Sequence, residues 1–295
     1  MDIINKAYTT HEWLCKAFTP GNVLDYYTAT TDREYRWLEA VVGAGMHTRL
    51  HSPHVRVSQV DFVVREIAMM GAREVLEVGC GKGACTFHLA SLFPSAKFHA
   101  VDPLSRHVDI ANLAKRDARV ANAAFYVGSS DAFTKQLPNK VDLIFAVEAL
   151  CYVEGKDGMA LFLRQAAWCL SPSGRLVIAD AFRPQHLEIA SAHQRVAMRL
   201  AESGLKIRRA PTRREWEVAA ANAGLVLRCH QDLTAEALHA WTALWRAARC
   251  LVRVPGLARC LPAHSAGNLL TACTAAHALR GKEAAEYGVL VFVKH

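Results

Sequence analysis

Apolar and polar positions follow two different patterns along this chain. Over residues 57–70 the apolar side chains recur every three to four positions, which predicts an amphipathic helix. From residue 74 onward, short apolar runs alternate with amphipathic stretches of helical length. Buried strands that alternate with helices favour a parallel sheet that is covered on both faces. The runs that predict strands are EVLEVG, KFHAVD, AAFYVG, VDLIFAV and GRLVIAD.

The last third of the chain is less regular. Helices are predicted over residues 185–203 and 212–223, and LVLRCH (225–230) is typical of a strand. Residues 234–280 are largely helical in pattern, with a break at Pro255-Gly256, and YGVLVFVKH predicts a final strand. The whole pattern therefore predicts one open α/β sheet, with helices before it and a helical insertion before its last strand.

Composition excludes several classes of protein. The chain has 295 residues, of which 52% are hydrophobic and 21% charged, so disordered, collagen-like and coiled-coil classes are excluded. The formal net charge is +8, which suits an anionic substrate, an anionic membrane surface or nucleic acid. The basic residues are scattered and no nucleic-acid recognition module is present, so we expect no nucleic-acid partner.

Nine cysteines are present, and no two of them are spaced C-x-x-C. An odd number without that spacing argues against a disulfide framework and against a structural zinc site, so no metal is expected. The first residues lack a charged segment followed by an apolar core, and no apolar run approaches 18 residues. We therefore expect a cytoplasmic protein without a membrane-spanning helix.

The most informative stretch is EVLEVGCGKG, which covers residues 74–83. A buried strand runs into three glycines at alternate positions, and a helix follows from about Ala84. Such a turn lets a ligand approach the backbone and the free N–H groups of the helix. A dinucleotide site is one interpretation, because the glycines match G-x-G-x-x-[GA] and Asp102 lies about 20 residues further on. Glu77 favours a cationic ligand instead, since dinucleotide folds usually have an apolar residue there.

Five segments in the order of the chain resemble the class I S-adenosylmethionine-dependent methyltransferases. VLEVGCGKG resembles motif I of that family, and Asp102 resembles the acid that binds the ribose hydroxyls. GSSD (128–131) resembles the loop on the adenine side, and VDLIFAVEALCYV (141–153) resembles the fourth strand with the loop that faces the substrate. LSPSGRLVIAD (170–180) resembles the L-x-P-G-G signature and fifth strand, with Ser173 in place of the first glycine.

This resemblance implies a Rossmann-like, seven-stranded, mostly parallel sheet and S-adenosyl-L-methionine as the cofactor. It divides the chain into an N-terminal helical cap (1–56), a cofactor-binding core (57–232), a helical lid (233–283) and the last strand (284–295). Acids at strand ends can hold a ribose diol, and carboxylates or aromatic faces stabilise a sulfonium. The implied cofactor contacts are Glu77, Gly79, Cys80, Gly81, Gly83, Asp102, Pro103, Ser130, Asp131 and Tyr27.

The flanking segments resemble the small-molecule members that act on sterols, tocopherols and prenyl diphosphates. The segments are DYYTATTDREYRWL (25–38), GMHTRLH (45–51) and ALRGKEAAEYGVLVFVK (278–294). They imply a small, lipophilic acceptor of isoprenoid or terpenoid type. Glu148 with Tyr152 resembles the E-x-x-x-[YH] context of C-methyltransferases, where a carboxylate stabilises a carbocation or removes its proton.

Other interpretations of the same residues stay open. His47, His51 and His186 are candidate general bases for O- or N-methylation of a secondary metabolite, or ordinary surface and lid histidines. Four arginines could clamp a diphosphate, contact an anionic membrane or form a solvated face; they are Arg208, Arg209, Arg213 and Arg214. The basic amphipathic stretch 245–257 suits either a bilayer or a lid helix. A non-catalytic cofactor-binding or membrane-associated protein on this fold is the alternative of another class.

Overall fold

The computed structural model of the protein describes residues 59–130, 133–136, 140–239, 241–242, 246, 271, 273–280 and 283–295. The predicted cap (1–56) and most of the predicted lid (233–283) lie outside the described residues, as does the basic stretch 245–257 except for Arg246. Among the predicted site residues, Tyr27, His47, His51 and Asp131 also lie outside them.

The described elements alternate between strands and helices, as the hydrophobic pattern predicts. The strands are β1 (Glu74–Val78), β2 (Lys97–Asp102), β3 (Ala123–Val127), β4 (Val141–Val147), β5 (Leu170–Phe182), β6 (Leu225–Asp232) and β7 (Glu286–Lys294). The helices are α1 (Gln59–Met70), α2 (Ala84–Leu92), α3 (Ser105–Asp117), α4 (Gly155–Cys169), α5 (Ala192–Gly204) and α6 (Arg213–Asn222). Short 3-10 turns cover Phe133–Gln136, Leu150–Tyr152 and Leu187–Ile189, and residues 234–239 and 273–278 are helical.

The seven strands form one sheet in the order β3-β2-β1-β4-β5-β7-β6. Neighbouring strands from β3 to β5 pair in parallel, whereas β7 pairs antiparallel with both β5 and β6. This arrangement confirms the predicted α/β, Rossmann-like, mostly parallel sheet of seven strands. The strand order reverses between β1 and β4, and in open sheets of this kind ligands bind at the carboxyl ends of the strands beside that point.

Both faces of the sheet are covered by helices, which explains the nearly continuous apolar runs of the central strands. On one face, side chains such as Val75, Leu143 and Val177 pack in a core with residues of α1, α2 and α3. On the other face, Leu76 and Ile144 pack with residues of α4 and α6. The described helices include none that is long and apolar enough to cross a membrane.

Two boundaries differ from those expected. The helix predicted over 185–203 begins only at Ala192, because Ser191 caps it: the Ser191 hydroxyl accepts from Gln194 N and the Gln194 side chain accepts from Ser191 N. Residues 185–191 are therefore a loop that contains one short 3-10 turn. The fifth strand begins at Leu170, and Ser173 within it has a φ of +61°, the left-handed conformation that favours glycine.

Candidate active site

The glycine-rich loop after β1 is fixed to the end of β2. The amides of Gly79 and Cys80 donate to the carbonyl of Val101 at 2.8 and 3.0 Å. All three glycines have positive φ, and a Cβ on Gly79 would lie 2.3 Å from the Cβ of Ala149. A Cβ on Gly83 would lie 2.5 Å from the ring of Phe125. A Cβ on Gly81 would meet nothing within 4 Å. The loop therefore packs tightly against the protein at Gly79 and Gly83, and it has open space beside it at Gly81.

Asp102 lies beside this open glycine. It ends β2, and its carboxylate accepts hydrogen bonds from Gly81 N at 2.8 Å and from Leu104 N at 3.0 Å. The Nδ1 atom of His107 is 3.3 Å from the same carboxylate. Pro103, which follows Asp102 in the chain, is exposed. An open cradle with an acid at its edge fits the ribose-bearing part of S-adenosylmethionine, as the resemblance implies.

Glu77 is buried at the other side of the loop. Its carboxylate accepts a hydrogen bond from the hydroxyl of Thr86, in the first turn of α2. Burial raises the pKa of Glu77 to about 7, against the opposing effect of the Thr86 hydrogen bonds, and the charge of Asp102 raises it further. A carboxylate that is costly to ionise in isolation favours a cation beside it, which suits a sulfonium or an ammonium group.

Two buried cysteines accompany Glu77. Burial, together with the charge of Glu77, raises the thiol pKa values of Cys80 and Cys85 well above their usual value. Both thiols therefore stay protonated near neutral pH and act as small apolar groups, Cys80 in the loop and Cys85 in the first turn of α2. Among the described residues, no three His, Cys, Asp or Glu side chains are arranged as ligands of a metal ion.

The loop predicted on the adenine side begins next to Asp102. The amide of Gly128 donates to the backbone carbonyl of Asp102 at 3.0 Å, so the ends of β2 and β3 are held together. Ser130 is half-buried in this loop. The structure thus brings Ser130 to the same edge of the sheet as Glu77, Gly81 and Asp102.

Glu148 follows β4, on the other side of the point where the strand order reverses. Its backbone has a φ of +52°, which is uncommon for a residue other than glycine. Its Oε1 atom accepts hydrogen bonds from Gln59 Nε2 at 3.1 Å and from the hydroxyl of Tyr287 at 2.8 Å. Gln59 Nε2 also donates to the Tyr287 hydroxyl at 2.8 Å. One carboxylate oxygen therefore joins α1, the end of β4 and the start of β7.

Asp180 lies at the carboxyl end of β5, next to this group. Its carboxylate accepts from Cys151 N at 2.9 Å and from its own neighbour Ala181 N at 2.8 Å. Burial raises the pKa of Asp180 to about 7, and the charge of Glu148 contributes in the same direction. The burial of Cys151 and the charges of Asp180 and Glu148 raise the pKa of that thiol well above its usual value.

Gln59, Tyr287 and Asp180 are not among the site residues that the sequence predicted. Asp180 carried a signal, because it ends a buried apolar run as Asp102 does. Gln59 and Tyr287 carried none, since they lie 89 and 139 residues from Glu148.

Tyr152 is directed elsewhere than the resemblance implies. Its hydroxyl donates to the carbonyl of Leu205 at 3.1 Å, in the loop that follows α5. The phenol that binds the Glu148 carboxylate is that of Tyr287. A role for the Tyr152 ring beside an acceptor stays a prediction. His186 is exposed and lies 3.0 Å from the carboxylate of Glu188, on the surface.

The arginine patch is interleaved with carboxylates. Arg209 contacts Glu215 at 3.0 Å, and Arg213 and Arg214 contact Glu217 at 2.7 and 3.3 Å. Arg208 and Glu154 are 4.0 Å apart, and both are exposed. Pairs of this kind favour the interpretation of a solvated face over that of a free phosphate clamp.

Comparisons with known proteins agree with this geometry. Residues 76–176 match the family described as methyltransferase domain. The structure is similar to that of the cyclopropane synthase MmaA2 from Mycobacterium tuberculosis, at 14% identity and a TM-score of 0.68, covering 92% of this chain and 97% of that one. It is also similar to geranyl diphosphate C-methyltransferase from Streptomyces coelicolor A3(2), at 16% identity and a TM-score of 0.66, covering 94% and 100%.

A curated relative extends the comparison at the level of sequence. An uncharacterized protein of Synechococcus sp. is 28% identical over 155 residues, which are 52% of this chain. The match spans about a third of the length of that relative. The family match, the seven-stranded sheet and the loop between Glu77 and Asp102 lead to one conclusion: this chain carries a class I S-adenosylmethionine-dependent methyltransferase domain.

Proposed function

We propose that this domain methylates a carbon atom of a small, lipophilic acceptor of isoprenoid or terpenoid type. The observation that carries the proposal is the placement of Glu148. Its carboxylate is held at the end of β4, across the reversal of strand order from the glycine loop. The two loops touch, because Ala149 occupies the space that a Cβ on Gly79 would need.

The cofactor side of the site is assigned to residues of β1, β2 and the loops that follow them. Asp102 and the open backbone at Gly81 would hold the ribose, and Glu77 would stabilise the cationic part of the molecule. Ser130 and the sequence-predicted Asp131 and Tyr27 would complete the contacts. When bound, S-adenosylmethionine supplies a methyl group that is activated by its attachment to a cationic sulfur.

The acceptor side is assigned to Glu148. Methylation of an alkene carbon leaves a positive charge on the neighbouring carbon, and a fixed carboxylate stabilises that charge. The same carboxylate can accept the proton whose departure restores the double bond. Glu148 suits this task because its hydrogen bonds are already made, so little reorganisation is needed as the charge develops.

The stretch of chain on either side of Glu148 supports a lipophilic acceptor. It is the one charged residue in the stretch 145–153, which reads FAVEALCYV. Val147, Leu150 and Cys151 in this stretch are buried. A carboxylate within an apolar stretch of chain is suited to an apolar molecule that becomes cationic only during the reaction.

Transfer of a labelled methyl group tests this proposal. The wild-type protein is incubated with radiolabelled S-adenosylmethionine and an extract of the source cells, and the products are partitioned between water and organic solvent, before and after phosphatase. We expect label in the organic phase, either directly or after phosphatase removes a diphosphate. Label that stays in water after phosphatase would overturn the lipophilic acceptor and indicate a polar amine or alcohol.

The Glu148→Gln variant tests the assignment of the carboxylate. We expect turnover to fall by roughly 100-fold or more, with binding of S-adenosylhomocysteine unchanged in calorimetry. Glu154→Gln is the matched control, because Glu154 is an exposed glutamate on the same loop. If Glu148→Gln weakens binding of S-adenosylhomocysteine as much as it lowers turnover, Glu148 belongs to the cofactor site and its assignment is wrong.

A further inference from the structure

The backbone of Glu148 is strained. Its φ of +52° lies in the left-handed region, where a side chain other than that of glycine is disfavoured. Residues in such conformations persist only where the surrounding structure holds them, and they concentrate at functional sites. The contacts that hold Glu148 are therefore part of how the site works.

The chain is held by hydrogen bonds on both sides of the strained residue. Glu148 N donates to the carbonyl of Ala179 at 2.8 Å, and Cys151 N donates to the carboxylate of Asp180 at 2.9 Å. Both acceptors belong to β5. These bonds fix the path of the backbone, but they do not set the direction of the Glu148 side chain.

That direction is set by Tyr287 and Gln59. Both side chains donate to the same oxygen of Glu148, and Gln59 also donates to the Tyr287 hydroxyl, so the three groups form a closed triangle. The donors match the acceptors, since an amide nitrogen has two hydrogens and a phenol has one. Burial raises the pKa of Tyr287 well above its usual value, so the phenol remains a donor at neutral pH.

The orientation of the Gln59 side-chain amide carries a cost in free energy. It is 1% exposed, and its Oε1 atom has no hydrogen-bond partner among the residues that the structure describes. A buried amide oxygen without a partner is unfavourable. This orientation directs both amide hydrogens at Tyr287 and Glu148, as expected if the amide is retained to hold the carboxylate.

Tyr287 reaches Glu148 across the intervening strand β5. The register pairs Tyr287 with Ala181 and Val289 with Ala179. Ala179 and Ala181 pack in the same core as Tyr287, so at these two positions β5 presents only methyl groups on that face. Larger side chains at these two positions would occupy the space through which the tyrosine ring extends.

We infer that Tyr287 and Gln59 are positioning residues that hold the Glu148 carboxylate in its reactive orientation during methyl transfer. This inference rests on the proposed function, in which Glu148 stabilises the cation. The two residues act through Glu148: they lower the cost of its strained conformation and fix where the negative charge stands before the acceptor arrives.

Tyr287→Phe tests the inference, because it removes one hydroxyl and leaves the buried ring in place. We expect kcat to fall about 10- to 100-fold, the loss associated with a hydrogen bond to a charged group. The KM for the acceptor and the Kd of S-adenosylhomocysteine should change little. In a Glu148→Gln background the same change should have almost no further effect, since the residue acts through that carboxylate. Gln59→Leu should behave in the same way.

Tyr126→Phe is the matched control. Tyr126 is a half-buried tyrosine on β3, three strands away from β4. Hydrogen exchange followed by mass spectrometry adds a measurement that does not depend on activity. We expect Tyr287→Phe to speed exchange of the amides in residues 148–152, and Tyr126→Phe to leave that exchange and kcat unchanged.

The outcomes separate this inference from the proposed function. If the wild type methylates its acceptor, Glu148→Gln does not, and Tyr287→Phe is fully active, the positioning role is overturned while the function stands. If the wild type binds S-adenosylhomocysteine but methylates nothing in the extract, the function is overturned. The exchange measurement then decides the positioning role: faster exchange of residues 148–152 in Tyr287→Phe supports it, and unchanged exchange contradicts it.

Discussion

The cofactor side and the acceptor side of this site are built in different ways. On the cofactor side, Glu77, Gly81 and Asp102 lie within 26 residues of one another, and backbone amides make most of the contacts. On the acceptor side, the hydrogen bonds of the Glu148 carboxylate come from residues that are 89 and 139 positions away, and they are made by side chains. A backbone loop can keep its shape while its side chains vary, whereas a side-chain network depends on each member.

Gly79 joins the two sides, so its substitution is expected to have the largest effect. In Gly79→Ala the new methyl group would lie 2.3 Å from Ala149 on a backbone with a φ of +78°. We expect a loss of roughly 3 kcal/mol or more in the free energy of unfolding, from overpacking and left-handed strain together. Weaker binding of S-adenosylhomocysteine should accompany it, measured by chemical denaturation and calorimetry.

Gly224→Ala is the control for strain alone. Gly224 has the same φ of +78°, but a Cβ there would meet nothing within 4 Å. Its cost should be about 1 kcal/mol, with cofactor binding unchanged. If the two variants lose equal stability and bind S-adenosylhomocysteine equally, the loops of the two sides are not coupled through Gly79.

Asp102→Ala should affect the cofactor side of the site and leave the acceptor side nearly unchanged. The change removes the carboxylate that accepts from Gly81 N and Leu104 N. We expect S-adenosylhomocysteine to bind about 10- to 100-fold more weakly, whereas kcat at saturating cofactor should change much less. The opposite result, intact binding with lost turnover, would place Asp102 on the acceptor side.

Each side also contains one buried acid whose pKa is raised to about 7, Glu77 and Asp180. Because the folded protein holds these protons more tightly than the unfolded chain, these two acids contribute most to stability at low pH, and their contribution is lost as pH rises through the range from about 4 to 7. For Glu77 the loss is on the order of 3 kcal/mol.

Denaturation curves of Glu77→Gln and Asp180→Asn between pH 5 and 8 test this, because each amide removes one titrating group. Each variant should be less sensitive to pH than the wild type over that range. If both variants keep the pH dependence of the wild type, these acids ionise as easily in the folded protein as in the unfolded chain, and the expectation is wrong.

The arginine patch should give the smallest effect. Arg213 and Arg214 are 42% and 63% exposed and share Glu217 as a partner. We expect the double Arg213→Ala, Arg214→Ala variant to lose no more than about 1 kcal/mol of stability and to keep the wild-type KM for the acceptor. A several-fold rise in that KM would place the patch on the acceptor side and support a phosphate-bearing acceptor.

The strands and the acids at their ends could be predicted from the sequence, because they depend on residues that are neighbours in the chain. Alternating apolar runs predicted every strand of the sheet. Glu77 and Asp102 stood out as acids at the ends of buried runs. The first two turns of the helix predicted over 185–203 were wrong, since the helical period continues upstream while the Ser191 cap stops the helix. Ser173 departs from the glycine of its motif but takes the left-handed conformation that the motif requires.

The sequence by itself determined the sheet, the glycine loop and the acids that flank it, because hydrophobic period, glycine conformation and strand ends are local properties. Only the tertiary structure decided which side chains hold Glu148. Insertion of β7 antiparallel between β5 and β6 brings Tyr287 to the edge where β4 ends. The small side chains of Ala179 and Ala181 on β5 leave room for the tyrosine ring. Gln59 of α1 donates a hydrogen bond to the tyrosine hydroxyl. Such contacts arise from packing between distant elements, and no spacing within the chain encodes them.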